Sequence, residues 1–467
     1  MKSVEEQIKG HKVRLFSSAG IGNVKEAETR ATASLLSMVK AVSEFGEFFI
    51  KNAGGFKGKP ECSTEVSFVH KPSKKVSRPD GVIVVVRGKK QWRALVEVKV
   101  GSNPLDQSQF DRYHGIASDE KFDALITISN QIALPNGLPP LKVDKRRLKR
   151  VRVAHISWER LLSEAQYLIL QKGVYDVDQN YMLKEWIRYV NDPMSKIVVA
   201  PRVNQNWNSI LSAASSDRLR SVKSDISEFS GIWAAFLRVQ AFRLRAQLGE
   251  KVDVRLKPDE RKDPQTYIKN LDVVAIETGK YDSSLVIPHT AGDLQVLLDL
   301  RSKRVFYEVQ ITPPNDKMRK GQITWIVNQL KKLVDVPSDL KLIVDWKKKG
   351  IVSQVNINEI EEKRENLDYD FEGNLVASNL EIKTFRIHLE TRLSRKKTTV
   401  FNDIGGNLES FYRSVVEHLQ VYTPRAPKLK SNNDENRPAK NSSSPNNSEL
   451  SQIDSSDIPS WWNLTPE

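Results

Sequence analysis

Arg78-Pro79-Asp80-Gly81-Val82-Ile83-Val84-Val85-Val86, followed after seven residues by Ala94-Leu95-Val96-Glu97-Val98-Lys99-Val100, decides how this chain is read. Proline is tolerated at the mouth of a strand because no ladder hydrogen bond is asked of its nitrogen there. Side chains alternate faces along a strand, so Glu97 and Lys99 share one face while Val96, Val98 and Val100 share the other. One face is therefore core, and the other is chemistry or solvent.

Outward from this pair, Gly101-Ser102-Asn103-Pro104 reads as a helix start, with Asn103 as N-cap and Pro104 at the first helical position. On the helix that follows, at 107–116, Gln109 and Tyr113 are four residues apart and share a face. Upstream, Ala27, Ala31, Leu35, Met38, Val42, Phe45 and Phe49 recur at helical spacing. Strands are expected at 65–69, 81–87 and 94–100, then at 124–129 and 151–156, with a closing helix at 158–170. This alternation defines an α/β unit over 1–170. A helical connector is expected at 171–230 and a second α/β domain at 231–423, with strands at 251–256, 294–300, 305–311 and 340–345. Residues 424–467, rich in Asn, Ser and Pro, read as a disordered tail. Its end, Ile458-Pro459-Ser460-Trp461-Trp462, suggests either a docking segment for a partner protein or the chain's own surface, or an apolar end with no role.

The 467 residues carry 73 Lys and Arg against 58 Asp and Glu, a formal charge of +15, which points to a polyanion partner, with nucleic acid first. The tail is not the source of that excess: 424–467 holds five basic and six acidic side chains. The aliphatic run 82–86 is far shorter than the roughly 20 apolar residues of a bilayer crossing, so no membrane association is expected. The acidic start Glu5-Glu6 and the single cysteine, Cys62, favour a cytoplasmic location. The scattered histidines show no zinc spacing. The segment 54–59 is one residue short of a phosphate-binding loop, with Pro60 where Ser or Thr belongs, so an NTP site is rejected.

Phosphodiester hydrolysis needs a divalent cation on oxygen ligands, a placed water and positive charge where the phosphoryl group gains negative charge. Asp80 and Glu97 can supply the carboxylates, leaving Mg²⁺ several waters, and Lys99 can orient the attacking water. Pro79-Asp80 with Glu97-Val98-Lys99, 17 residues from acid to acid, resembles the two motif halves of the PD-(D/E)XK nuclease superfamily. Gln109 to Tyr113 looks like the QxxxY element of its RecB-like branch. The resemblance covers about 150 of the 467 residues. It implies a restriction-endonuclease-like mixed sheet flanked by helices and Mg²⁺-dependent cleavage of DNA, with Mn²⁺ able to substitute. It also implies Asp80, Glu97 and the Val98 carbonyl as metal ligands, and Lys99 as catalytic residue. A further acid is expected from the preceding helix, Glu28 or alternatively Glu26. In the family, residues such as Gln109 and Tyr113 help position DNA; packing of Tyr113 on the sheet is the rival reading.

Lys142, Lys145, Arg146, Arg147, Lys149, Arg150 and Arg152 stand against one acid, Asp144, and form a ridge suited to phosphate contact, or a solvated loop. Lys71, Lys74, Lys75 and Arg78 flank Asp80 and would extend a groove. In the second domain Asp299, Glu308 and Gln310 imitate the acid and ExK spacing with glutamine for lysine. This marks either a degenerate copy or a plain hairpin turning at Arg301-Ser302-Lys303. The reading is a metal-dependent deoxyribonuclease of DNA repair, stress response or defence, for which double-strand cleavage would favour a homodimer. The rivals are a catalytically silent nucleic-acid- or protein-binding module and a regulator whose second domain senses a ligand.

Overall fold

In a computed structural model the described residues are 14–69, 76–131, 137–144, 147–197 and 202–424. The expected tail beyond 424 with Trp461 and Trp462, and Lys71, Lys74, Lys75, Lys145 and Arg146, lie outside them.

The apolar stripe from Ala27 to Phe49 forms two helices, α1 (Val24–Ala41) and α2 (Ser43–Asn52). Asn23 caps α1, its side-chain oxygen accepting from the Glu26 N–H at 3.0 Å. At Val42 the backbone turns extended (φ −102°, ψ 105°), which breaks the stripe. Gly46 lets the helices approach: a Cβ there would sit 2.2 Å from the Val39 carbonyl oxygen.

The first sheet has the order β1-β4-β5-β6-β7. Strands β1 (Lys59–Thr64), β4 (Gly81–Arg87) and β5 (Lys90–Val98) pair antiparallel, and β6 (Ala124–Ser129) and β7 (Arg152–Ser157) add in parallel. The strand expected at 65–69 is displaced to β1, a polar edge strand in which Pro60 is tolerated because an edge needs no second row of donors. Only Phe68–Val69 (β2) pairs in that region, in a short ribbon with Val76–Ser77 (β3).

Alternation along β5 and β6 sorts the core. Val96, Val98, Ile126 and Ile128 pack with α1, α2, α4 (Trp158–Tyr167) and α5 (Val177–Asn191). Leu95 and Leu125 pack on the opposite face with Phe110, Tyr113 and Ile116 of α3 (Gln107–Asp119). The N-cap of α3 is Asp106, which accepts from the Gln109 N–H at 2.7 Å, and not the expected Asn103, because the helix starts at Gln107. Within β7, His155 is 4% exposed, and its Nε2 faces the Gln131 carbonyl at 2.7 Å. A carbonyl only accepts, so Nε2 carries the proton and Nδ1 accepts from the Thr127 hydroxyl at 2.9 Å.

Burial pulls the His155 pKa down to about 4, so the ring stays neutral in the fold while the unfolded chain takes up a proton near 6.5. The stabilisation is complete above pH 6.5 and is lost as pH falls toward 4, by up to about 3 kcal/mol. Urea unfolding of the wild type and His155→Gln at pH 7 and pH 4.5 checks this: the wild type should lose more stability than the variant.

The second half is built on a seven-stranded sheet of order β13-β12-β14-β11-β10-β9-β8, in which every pairing is antiparallel. Its strands are β8 (Asp253–Val254), β9 (Lys280–Val286), β10 (Leu294–Asp299), β11 (Arg304–Ile311), β12 (Lys341–Trp346), β13 (Val352–Asn356) and β14 (Ile382–Arg392). Its helices are α6 (Trp207–Ser215), α7 (Lys223–Leu248), α8 (Pro258–Lys262), α9 (Pro264–Thr278), α10 (Arg319–Leu330) and α11 (Val400–Ser414). The plain hairpin is what forms after Asp299, whose carboxylate accepts from the Arg301 and Ser302 N–H groups. With no parallel pair in this sheet, the imitation of the first sheet goes no further than spacing.

The hydrophobic clusters divide the chain between Ile197 and Val203, so the connector expected at 171–230 belongs partly to each core. Both cores lie in one compact unit ending at Tyr422. Helices α4 and α7 join them: Ser163 donates to the Phe242 carbonyl at 2.6 Å, and Arg243 pairs with Glu159 at 2.8 Å. Among the described residues no helix is long and apolar enough to cross a membrane.

Candidate active site

Gly81 pairs with Val96 across the β4–β5 ladder, which places Asp80 beside the end of β5. Its Oδ2 accepts from the Val98 N–H at 2.7 Å. Burial raises the Asp80 pKa, against the pull of that N–H. Glu97 is 3% exposed, and Oε1 accepts from Lys99 Nζ at 2.7 Å. Its other oxygen, Oε2, is buried and has no hydrogen-bond partner among the described residues. Burial, then the Asp80 charge, pushes the Glu97 carboxyl up to about 8.

Lys99 is locked at both ends of its peptide unit. Its N–H donates to the Ile128 carbonyl at 2.8 Å, and its own carbonyl accepts from the Trp158 indole at 2.8 Å. Its ammonium also lies 3.8 Å from Glu28 Oε2. Burial works against that ammonium, but Glu97 and Glu28 outweigh it and hold its pKa above the ordinary lysine value.

Of the two acids weighed on α1, the one at the site is Glu28, which accepts from the Asn103 amide at 3.3 Å. Glu26 is engaged in the helix start, accepting from the Gly22 N–H at 2.8 Å. Tyr113 is 5% exposed, and its hydroxyl donates to the Arg78 carbonyl at 3.1 Å; Gln109 donates to that hydroxyl at 3.3 Å. The pair thus braces α3 against the segment that carries Asp80.

The basic ridge spans the height of the sheet. Lys142 adjoins the start of α3, exchanging hydrogen bonds with the Gln107 amide at 2.9 and 3.0 Å. Parallel pairing puts Arg152 level with Ala94, and Ile156 level with Val98. Arg152 and neighbouring Arg150 therefore lie toward the end of the sheet away from Glu97 and Lys99, and the backbone at Arg147 opens a 3₁₀ turn. Trp158 and Asn103 were missed as site residues by sequence reasoning. The available signal for Trp158 was its place directly after a parallel strand, where such folds gather functional groups.

Among the described residues no group of three or more His, Cys, Asp or Glu is arranged to hold a metal ion. The residues present nevertheless fit Mg²⁺, which keeps several waters and takes few carboxylates. Half-buried Asp80 and buried Glu97 are neighbouring acids with raised pKa values, and among the described residues Glu97 Oε2 has no hydrogen-bond partner. A cavity of about 10 Å³ reaches Glu97 but not Asp80, and Leu105, Phe110 and Leu125 share its lining with Gln109, Tyr113 and Thr127.

The open face of the second sheet carries another polar cluster, set by strand register. Glu308 lies between Gln295 and His388 on the flanking strands, and Gln310 beside Arg386. Arg386 donates two hydrogen bonds to Asp345, at 2.6 and 2.8 Å, and one to Glu308 at 3.1 Å. Despite burial, His388 and Arg386 keep the Glu308 pKa below the ordinary value. This is a closed ion-pair network with no lysine in the position corresponding to Lys99.

No family model, curated protein or solved structure matches the chain.

Proposed function

We propose that this protein is a metal-dependent deoxyribonuclease of the PD-(D/E)XK type, its first sheet the restriction-endonuclease-like core and its site formed by Asp80, Glu97, Lys99 and Glu28. The observation that carries the reading is the buried Glu97, beside Asp80, with one oxygen on the Lys99 ammonium and the other without a hydrogen-bond partner among the described residues. Residue types that match a resemblance only by spacing need not meet in space, and these do.

Asp80 and Glu97 would hold Mg²⁺ or Mn²⁺, with the Val98 carbonyl as a third oxygen. The ion, when bound, supplies an activated water and neutralises charge on the phosphoryl group. Lys99 holds a positive charge at the edge of the carboxylate pair, where it orients the attacking water and offsets the negative charge that develops on phosphate oxygens. Glu28 holds the far side of that ammonium and keeps it protonated. Asp80 keeps the end of β5 in register through the Val98 N–H. Gln109 and Tyr113 fix the Arg78–Asp80 backbone, and the excess of positive charge favours DNA by sequence-independent attraction.

The reading is tested by incubating the purified protein with linear, nicked, branched and single-stranded DNA and with RNA, in Mg²⁺, in Mn²⁺ and in EDTA. DNA cleavage in either metal and none in EDTA is the expected result. DNA binding without cleavage under every condition would favour the silent binding module instead.

A further inference from the structure

Between the end of β7 with α4 on one side and α7 with β8 on the other lies a cleft of about 630 Å³. It lies where the two cores meet, and its charge is one-sided. Among the described residues Arg160, Arg238, Lys251, Arg255 and Arg261 line it against a single carboxylate, Asp253. Lys251 pairs with Asp253 at 3.0 Å, Arg255 forms a two-pronged pair with Asp293, and Arg261 donates to the Leu256 carbonyl at 3.1 Å.

The deeper cations are held differently. Arg160 sits between two aromatic rings, 5.1 Å from the Phe48 centroid and 5.2 Å from that of Phe242, which fixes the plane of its guanidinium. Its nearby carboxylate, Glu164 at 3.6 Å, is shared with Arg245 at 3.3 Å. Burial and then the Arg245 charge pull the Arg160 pKa down, and burial does the same to Arg238. Arg160 lies in the first turn of α4, whose N-cap Ser157 also lines the cleft, so the positive end of the helix dipole adds to the same field. Phe242, Val252 and Leu256 supply apolar wall beside these charges.

We propose that this cleft binds a small phosphorylated ligand of about nucleotide size, its phosphate toward Arg160 and Arg238 and its organic part against Phe242 and Val252. The volume lies in the range of small-molecule sites, roughly 300–1,000 Å³, and is too confined for a duplex. Because Arg160 belongs to the first core and Arg238 to the second, one ligand touches both. The proposal is independent of the cleavage reading.

The test follows thermal unfolding and calorimetric binding of the full chain with ATP, AMP, glucose 6-phosphate, inorganic phosphate and a single-stranded oligonucleotide at matched ionic strength. At least one organic phosphate should raise the melting temperature and bind more tightly than inorganic phosphate. Arg238→Glu should weaken it by about tenfold or more. Arg261→Glu, an exposed position that leaves the core untouched, should weaken it in the same direction and guards against misfolding of the first variant. The proposal is overturned if no organic phosphate binds, if both variants bind as tightly as the wild type, or if the oligonucleotide alone binds.

Discussion

Replacing Lys99 by alanine should lower the rate of DNA cleavage by about 10²–10³ while leaving DNA affinity within a few-fold. The ammonium is 2.7 Å from Glu97 and 3.8 Å from Glu28, and its peptide unit is tied to Ile128 and Trp158, so the charge is aimed rather than mobile. A preorganised charge of this kind matters most when negative charge develops, which is why the loss falls on the chemical step. Arginine at this position should recover little, because a wide planar fork cannot replace a point charge between two acids. Single-turnover cleavage of labelled DNA separates the effect on rate from that on binding. A rate unchanged in Lys99→Ala would remove Lys99 from the mechanism.

Replacing Glu97 by glutamine should abolish cleavage and, without metal, make the protein more stable at pH 8–9. The native carboxyl ionises only near 8, against about 4.5 in the unfolded chain, because it is buried next to Asp80. The folded state therefore holds a proton that the unfolded state has given up, and stability falls as pH rises from 4.5 through 8. The cost is absent below pH 4.5 and complete above 8, where it reaches roughly 5 kcal/mol at most. Glutamine keeps the shape without the charge, so its advantage should appear at pH 8–9 and vanish at pH 4.5. Urea unfolding at these two pH values, in EDTA, checks the sign. This is the expected trade between stability and a strained functional group.

What could be read without coordinates follows where single strands declare themselves. The run Val82-Ile83-Val84-Val85-Val86 and the alternation of Val96, Glu97, Val98 and Lys99 carry their own signal, and β4 and β5 form there. The edge strand β1 does not, because Lys59, Glu61, Ser63 and Thr64 read as loop until a neighbour pairs with them. Strands β9, β13 and β14 of the second sheet were missed for a related reason. Residues such as Asp282, Gln354 and Arg386 face its polar open side, so half of each strand looks like surface.

Non-local choices were beyond the sequence altogether. Glu28 and Glu26 are equivalent by spacing, and only the fold of the loop around Gly22 and Asn23 engages Glu26 elsewhere. The distance of Arg150 and Arg152 from Glu97 depends on parallel register with β6, which no local pattern specifies. Asn103 had the composition of a cap, yet its amide turns to Glu28, and Asp106 takes the helix end.

The central claim is that Asp80 and Glu97 form a divalent-cation site, and Mn²⁺ titration of the metal-free protein tests it most directly. Calorimetry at pH 7.0 in two buffers of different ionisation enthalpy reads both the metal and any proton it displaces. One saturable site with release of a proton from Glu97 is expected, and loss of that site in both Asp80→Asn and Glu97→Gln. No saturable binding, or binding that both variants retain, would contradict it.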